Sequence, residues 1–63
     1  MYNLSRGEAL LLMQKGYKIT HKYFSDEEYF YMEGPFIMSE DGFDFTELFY
    51  VRAMYKEGWA IKE

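Results

Sequence analysis

"EYFYMEGPFIMSEDGFDF", Glu28 to Phe45, decides the fold. In its first half Phe30 and Met32 alternate with Tyr29, Tyr31 and Glu33. A period of two is the mark of a strand with one buried face. Gly34-Pro35 breaks the run. Phe36 to Ser39 resumes as another strand. Glu40-Asp41-Gly42 is a hairpin turn signal, because glycine accepts the positive φ that tight turns require. Phe43 to Phe45 continues the hairpin, with two rings on one side and Asp44 on the other. A chain that reverses twice in so short a stretch builds an antiparallel sheet. The flanking segments must then cover one of its faces.

On the N-terminal side, Tyr17 to Lys22 also alternates. Tyr17, Ile19 and His21 point one way; Lys18, Thr20 and Lys22 point the other. This is a strand with a basic outer face. Before it, Leu4-Ser5-Arg6-Gly7-Glu8-Ala9 reads as a helix start. Ser5 is placed to cap the first turn, with Glu8 completing a capping box and Leu4 and Ala9 forming a staple. The pattern predicts a helix from Arg6 to Lys15, stopped by Gly16. Ala9, Leu12 and Met13 share one face, with Leu10 at its edge. Leu11 falls opposite. It is either an ordinary surface leucine or a contact for a second copy in a homodimer.

On the C-terminal side, Leu48-Phe49-Tyr50-Val51 are strand-forming residues. Thr46 nevertheless offers a cap, Arg52 to Lys56 favours helix, and Gly58 offers a stop, so the pattern predicts a helix over 46–57. Trp59 to Lys62 is a final short strand with Trp59 and Ile61 inward. The order is helix, four strands, helix, strand. It predicts an α+β fold: a small two-layer domain spanning 1–63, with the N-terminal helix and a second short helix packed on a four- to five-stranded antiparallel sheet. The expected core is Leu12, Met13, Ile19, Phe30, Met32, Phe43, Phe45, Leu48, Trp59 and Ile61.

A chain of 63 residues buries a modest share of its surface. It has no Cys and one His, so neither a disulfide nor a Cys-based zinc site holds it together. Aromatic residues make up 22 % of the chain, and large rings offset small size with buried area. The apolar run Leu10 to Met13 is far below the length of a signal segment or a membrane span. With no Cys, this leads to the expectation of a cytoplasmic protein without a membrane partner.

The net charge of −4 conceals a division. From Tyr23 to Val51 there are eight acids (Asp26, Glu27, Glu28, Glu33, Glu40, Asp41, Asp44 and Glu47) and no Lys or Arg. All seven bases lie outside that stretch. Phosphates would be repelled from the centre, so nucleic acid is not its direct ligand. A disordered acidic tail is equally unsuited, since such tails lack aromatics.

Catalytic readings find little support. Acid pairs arise by chance when eleven carboxylates crowd a small surface; catalysis needs a cleft around them. Ser5, Ser25 and Ser39 have only His21 as a base, without a nucleophile motif. His21 shares a strand face with Ile19 and reads as a packed side chain. Placing Gly42 at the sixth position of a calcium loop puts Ile37 and Leu48 where oxygen ligands belong, which rules that loop out. The glycines are scattered, so there is no phosphate loop. Neither enzyme activity, a cofactor nor a metal is expected. Lys15, Lys18 and Lys22, with Tyr17 and Tyr23, are either a weak nucleic-acid patch or sheet-surface lysines that oppose edge aggregation; the second is preferred.

The acidic centre is the strongest feature. Residues two apart on a strand lie about 6.8 Å apart on one side. That is close to the spacing of successive phosphates along a nucleic-acid strand. Carboxylates and tyrosines in such a row suit a protein groove lined with Lys and Arg. The alternative is an acidic surface that keeps an aromatic-rich chain in solution. Ordinary surfaces intersperse the two signs, and this stretch does not, which favours a binding role. The candidate partner-binding residues are Glu27, Glu28, Tyr29, Tyr31, Glu33, Glu40, Asp41 and Asp44.

The frame Leu4-Ser5-x-x-Glu8-Ala9-Leu10, Gly16-x-Lys18-Ile19 and Gly58-Trp59-Ala60-Ile61 resembles a set of short bacteriophage proteins. Their family includes the second type of Thoeris anti-defence protein and a related anti-CRISPR protein. The resemblance covers the two ends of the chain. It implies an N-terminal helix on an antiparallel sheet, oligomerisation, and an anti-defence role in the cytoplasm of an infected bacterium. For Thoeris-type members it implies sequestration of a cyclic nucleotide signal. His21-Lys22-Tyr23-Phe24 stands where that family has a basic-tryptophan stretch, and the ligand-binding insertion is missing, so no binding residue carries over. Two functions follow as expectations. The first is an inhibitor that occupies the basic nucleic-acid-binding surface of a host defence protein, such as a CRISPR nuclease. The second is an oligomeric sponge for a cyclic nucleotide, using Lys18, Lys22 or Arg52. An accessory phage protein without a fixed ligand is the third.

Overall fold

Ser5 caps the first helix. Its hydroxyl accepts the Glu8 N–H at 3.2 Å, and Glu8 Oε1 accepts the Ser5 N–H at 2.8 Å. Two amides at the helix start are thereby satisfied reciprocally. This helix, α1, spans Arg6–Gln14 in a computed structural model that describes Met1–Glu63. The strands are β1 (Leu4–Ser5), β2 (Ile19–His21), β3 (Phe30–Glu33), β4 (Phe36–Ser39) and β5 (Glu57–Ile61). A second helix, α2, spans Thr46–Val51, and a 3₁₀ turn follows at Ala53–Tyr55. The strands form one antiparallel sheet in the order β1-β5-β2-β3-β4. The fold is therefore α+β, with both helices packed on the sheet. No helix is long and apolar enough to cross a membrane.

The register selects the covered face. Ile19 pairs with both Phe30 and Ile61, and His21 pairs with Trp59. Directly opposed residues share a side of a sheet. Onto this side α1 brings Ala9 and Met13, α2 brings Phe49, and the 3₁₀ turn brings Tyr55. Trp59 is fully buried at the centre. The rings of His21, Phe24, Phe30, Phe49 and Tyr55 lie within 5.8 Å of its own, centroid to centroid. Its indole N–H donates to the Tyr55 carbonyl at 2.7 Å. His21 is fully buried too. Its Nε2 bonds the Glu57 carbonyl at 2.8 Å, and its Nδ1 accepts the Tyr23 N–H at 3.2 Å. It is a core residue with both nitrogens occupied, not a base for any serine.

Several expectations are corrected here. The expected core includes Phe43, which is 64 % exposed, and Ile61, which is 41 % exposed at the end of β5. Leu12, Met32 and Phe45 are half-buried against the core, and Leu48 is half-buried. Ile37, Phe49 and Tyr55 belong to the core instead. The helix predicted over 46–57 ends at Val51. Arg52 is extended (φ −74°, ψ 128°) and β5 begins at Glu57. That break lets Tyr55 and Trp59 enter one core and lets β5 slot between β1 and β2. β1 is a two-residue strand too short to carry a period, and sequence reading misses it.

Thr46 is not a cap either; it is the first residue of α2. Its hydroxyl accepts the Ile37 N–H at 2.9 Å and donates to Asp44 Oδ1 at 2.6 Å. Asp44 Oδ1 also accepts the Thr46 N–H at 2.9 Å. Phe43–Phe45 runs back antiparallel to β4, but as a single bridge between Met38 and Asp44 rather than a strand. The Ser39 N–H donates to the Phe43 carbonyl and the Phe45 N–H to the Ile37 carbonyl, both at 2.8 Å. With Thr46 on the Ile37 N–H, the outer edge of β4 is occupied. An open edge is a template for aggregation, and this one is closed.

Asp44 therefore supports the fold. The Thr46 hydroxyl, and then the Thr46 N–H, hold its carboxyl below the ordinary value of 3.8. A carboxyl whose value is lowered by folding stabilises the native state above its unfolded value. That contribution is lost as pH falls through the lowered native value. Asp44→Asn should accordingly melt below wild type at neutral pH. The gap should narrow as the pH falls below the ordinary value of 3.8 and through the lowered native one, as Asp44 becomes protonated in both states. Thermal melts followed by circular dichroism across that range check this; a gap that stays constant contradicts it.

Candidate functional site

Glu28, Glu40 and Asp41 converge at one end of the β3–β4 hairpin. They line the molecule's one cleft, of about 150 Å³. Phe24, Phe30, Phe43, Phe45 and Tyr55 supply its aromatic walls, with Ser39 completing it. Four segments build it: the turn after β2, the start of β3, the end of β4 with the loop that follows it, and the 3₁₀ turn.

Each carboxylate is held by one oxygen. Glu28 Oε1 accepts the Ser25 N–H at 2.6 Å, while the Glu28 N–H donates to the Ser25 carbonyl at 3.1 Å. Glu40 Oε1 accepts the Tyr29 N–H at 3.2 Å, tying the hairpin loop to the turn before β3. Asp41 Oδ1 accepts the Ser39 hydroxyl at 2.5 Å. Ser39 is the hub of this loop: its Oγ also accepts the Phe43 N–H at 3.1 Å, and its carbonyl accepts the Gly42 N–H at 3.0 Å. Gly42 takes φ +88°, as the turn signal requires. In each carboxylate the second oxygen makes no hydrogen bond within the protein.

The other candidate residues lie elsewhere. Tyr29, Tyr31 and Glu33 share the open face of the sheet, as the alternation predicts. The two rings stand 6.2 Å apart and Glu33 is exposed at the end of β3. That face is not purely acidic, since Lys18 Nζ lies 4.9 Å from the centre of the Tyr29 ring. β3 starts at Phe30, so Glu27 sits in the preceding turn, exposed, and does not extend the row. Asp44 is at the β4 edge in the bond network described above. The structure thus brings together three of the eight and distributes the rest.

All eight acids of the central segment are exposed. The hydrogen bonds accepted by Glu28, Glu40, Asp41 and Asp44 come from backbone N–H groups and hydroxyls, and none from a Lys or Arg. Lys18, Lys22 and Arg52 each lie over a different tyrosine, at 4.9, 5.3 and 6.0 Å from the ring centres of Tyr29, Tyr23 and Tyr55. None of the three lines the cleft.

Sequence reading left Phe24 unassigned and placed Phe43 in the core; both are cleft walls. A usable signal was present at Phe43. A ring next to Gly42 in a tight loop, following two acids, is poorly placed for burial. Tyr55 carried no such signal, because its position depends on the break at Arg52.

No protein-family model matches the chain, and no curated protein or solved structure is significantly similar to it.

Proposed function

We propose that this protein is a small acidic inhibitor of the phage anti-defence kind, which binds the basic nucleic-acid-binding surface of a host defence protein and competes with nucleic acid there. One observation carries this. The eight central acids are exposed and accept hydrogen bonds from no Lys or Arg, so their charge faces outward beside exposed aromatic rings. Aromatic groups provide contact area, and unneutralised carboxylates provide steering and charge pairing. The end-frame resemblance to short phage anti-defence proteins supports the same class. Sequestration of a cyclic nucleotide is less well served. The single cleft presents carboxylates to what would be an anion, and it is smaller than the roughly 300 Å³ at which drug-sized pockets begin.

The bonding of the acids determines which variants test the proposal. Asp44, Glu28 and Glu40 accept backbone N–H groups and Asp41 accepts the Ser39 hydroxyl, so reversing them would disturb the fold. Glu27 and Glu33 are exposed and make no such bond. The double variant Glu27→Lys, Glu33→Lys should fold as wild type and should lose about tenfold or more in affinity for the partner captured from a bacterial lysate. Capture by wild type should also fall as salt is raised from about 50 mM to about 500 mM, since exposed charges are then screened. Capture that survives both changes contradicts the proposal.

A further inference from the structure

The cleft beside the hairpin loop has a more specific chemistry than the acidic surface around it. We infer that it is a receptor for the guanidinium group of an arginine side chain presented by the partner protein. The inference rests on the proposed function, and it names the group that this surface grips.

The first support is the wall composition. Five aromatic side chains and three carboxylates face one small space. A guanidinium is planar, stacks on aromatic faces and offers five donors, so it satisfies both kinds of wall at once. An ammonium is a compact, strongly hydrated point charge and uses the rings less well. The second is the state of the carboxylates. Glu28, Glu40 and Asp41 are each fixed through one oxygen, and the other oxygen stays open. Acceptors held in place this way lose little freedom when a donor arrives.

The third support is Tyr55, which is only 4 % exposed and lines the cleft. Its ring is enclosed by His21, Phe24, Phe30 and Trp59. Its hydroxyl makes no hydrogen bond within the protein and is reached by solvent, so this otherwise buried, cleft-lining side chain offers an open oxygen. An arriving N–H donor would be accepted there.

Size and geometry narrow the ligand. The volume, about 150 Å³, suits one side chain and not a nucleotide. The carboxylates do not form a metal-ligand set, so a bare divalent cation is not the occupant. Phe43, which also lines the cleft, is 64 % exposed and leaves ring surface open to an inserted side chain.

The test is a two-dimensional NMR titration of the ¹⁵N-labelled protein with a short Gly/Ser peptide carrying one arginine. Matched peptides carrying citrulline or lysine serve as controls. Citrulline keeps the shape of arginine and removes the charge. The arginine peptide should give saturable shifts centred on Ser39, Gly42, Phe43 and Tyr29, lysine weaker ones, and citrulline none. Glu40→Gln keeps an oxygen for the Tyr29 N–H but removes the charge. It should weaken binding about tenfold, as loss of a charge-assisted bond does, with the spectrum of the folded protein retained. Tyr55→Phe and Phe43→Ala should each weaken it severalfold. Equal shifts with citrulline, shifts spread over all surface acids without the cleft, or indifference to Glu40→Gln would overturn the inference. N-acetyl-arginine amide binding more tightly than the peptide would assign the cleft to a free small cation and overturn the assignment to a partner. Salt-sensitive capture without arginine binding would remove the cleft and leave the proposed function standing. Arginine binding without capture of any partner would do the reverse.

Discussion

Trp59→Ala should remove a large part of the domain's stability and lower its urea midpoint more than any other single substitution. Trp59 occupies the middle of the sheet's covered face, between β1 and β2 on β5. It touches the ring cluster on every side and is fully buried. Truncating a buried tryptophan to alanine typically costs about 3–5 kcal/mol, through lost transfer energy and the cavity left behind. The native state has little in reserve. At about 0.05–0.15 kcal/mol per residue, a domain of this length is stable by only about 3–9 kcal/mol. No disulfide limits the unfolded chain. The loss also removes the indole bond to the Tyr55 carbonyl, which pins the 3₁₀ turn to β5. Far-ultraviolet circular dichroism and urea titration measure the effect. Trp59→Phe, which keeps most of the ring area and loses the donor, should fold with a reduced midpoint. A Trp59→Ala protein that melts within a few degrees of wild type would show that the core lies elsewhere.

Gly58→Ala should destabilise the domain by the next largest amount. Gly58 is buried within β5, one residue before Trp59, at φ +93°. Left-handed backbone costs an alanine about 1–2 kcal/mol on conformational grounds alone. Space adds to that. A Cβ there would meet His21 Nε2 and the Lys22 Cδ and Cε, each at 3.1 Å. Lys22 can swing its side chain away, since it is exposed. His21 cannot, because the Glu57 carbonyl and the Tyr23 N–H hold its ring. The Gly58 carbonyl also accepts the Lys22 N–H at 2.9 Å, so a shift of β5 loses a sheet bond. The expected result is a drop in urea midpoint larger than that of any single surface substitution, with the slope of the transition unchanged. A Gly58→Ala midpoint equal to wild type would contradict the backbone conformation described here.

Both predictions fall on residues whose type was legible in the sequence and whose role was not. Gly58 reads as a helix stop after Lys56-Glu57; it is a glycine within β5 whose carbonyl accepts the Lys22 N–H. The difference originates at Arg52, whose extended conformation ends α2 six residues early. Propensity over Ala53 to Lys56 favours helix, and packing overrides it, because Tyr55 and Trp59 must share one core. Local chemistry fared better. The Ser5–Glu8 capping box and the Glu40-Asp41-Gly42 turn are each complete within a few residues, so the sequence alone specifies them. The face of Tyr29, Tyr31 and Glu33 follows from strand alternation and is present.

The candidate site was legible only as charge. An excess of acids from Asp26 to Glu47 marks a region, but not which carboxylates meet. Glu28, Glu40 and Asp41 meet because Glu40 reaches the Tyr29 N–H across the hairpin and Ser39 gathers Asp41 and Phe43. Phe24 and Tyr55 arrive from distant segments. Asp44, equally acidic, is drawn to Thr46 instead and serves the edge of the sheet. Pairing of an acid with a hydroxyl or an amide two or three residues away is too common in turns to separate structural from binding carboxylates without the fold.

The central claim is that the acidic surface takes the place of nucleic acid on a basic protein. It is tested most directly by competition. The host protein captured by the wild-type chain is washed, and duplex or single-stranded nucleic acid is added at rising concentration. The account predicts that nucleic acid displaces the chain, and that wild type, but not Glu27→Lys, Glu33→Lys, blocks nucleic-acid binding by the captured protein. Capture of a protein that continues to bind nucleic acid with the chain in place would contradict it.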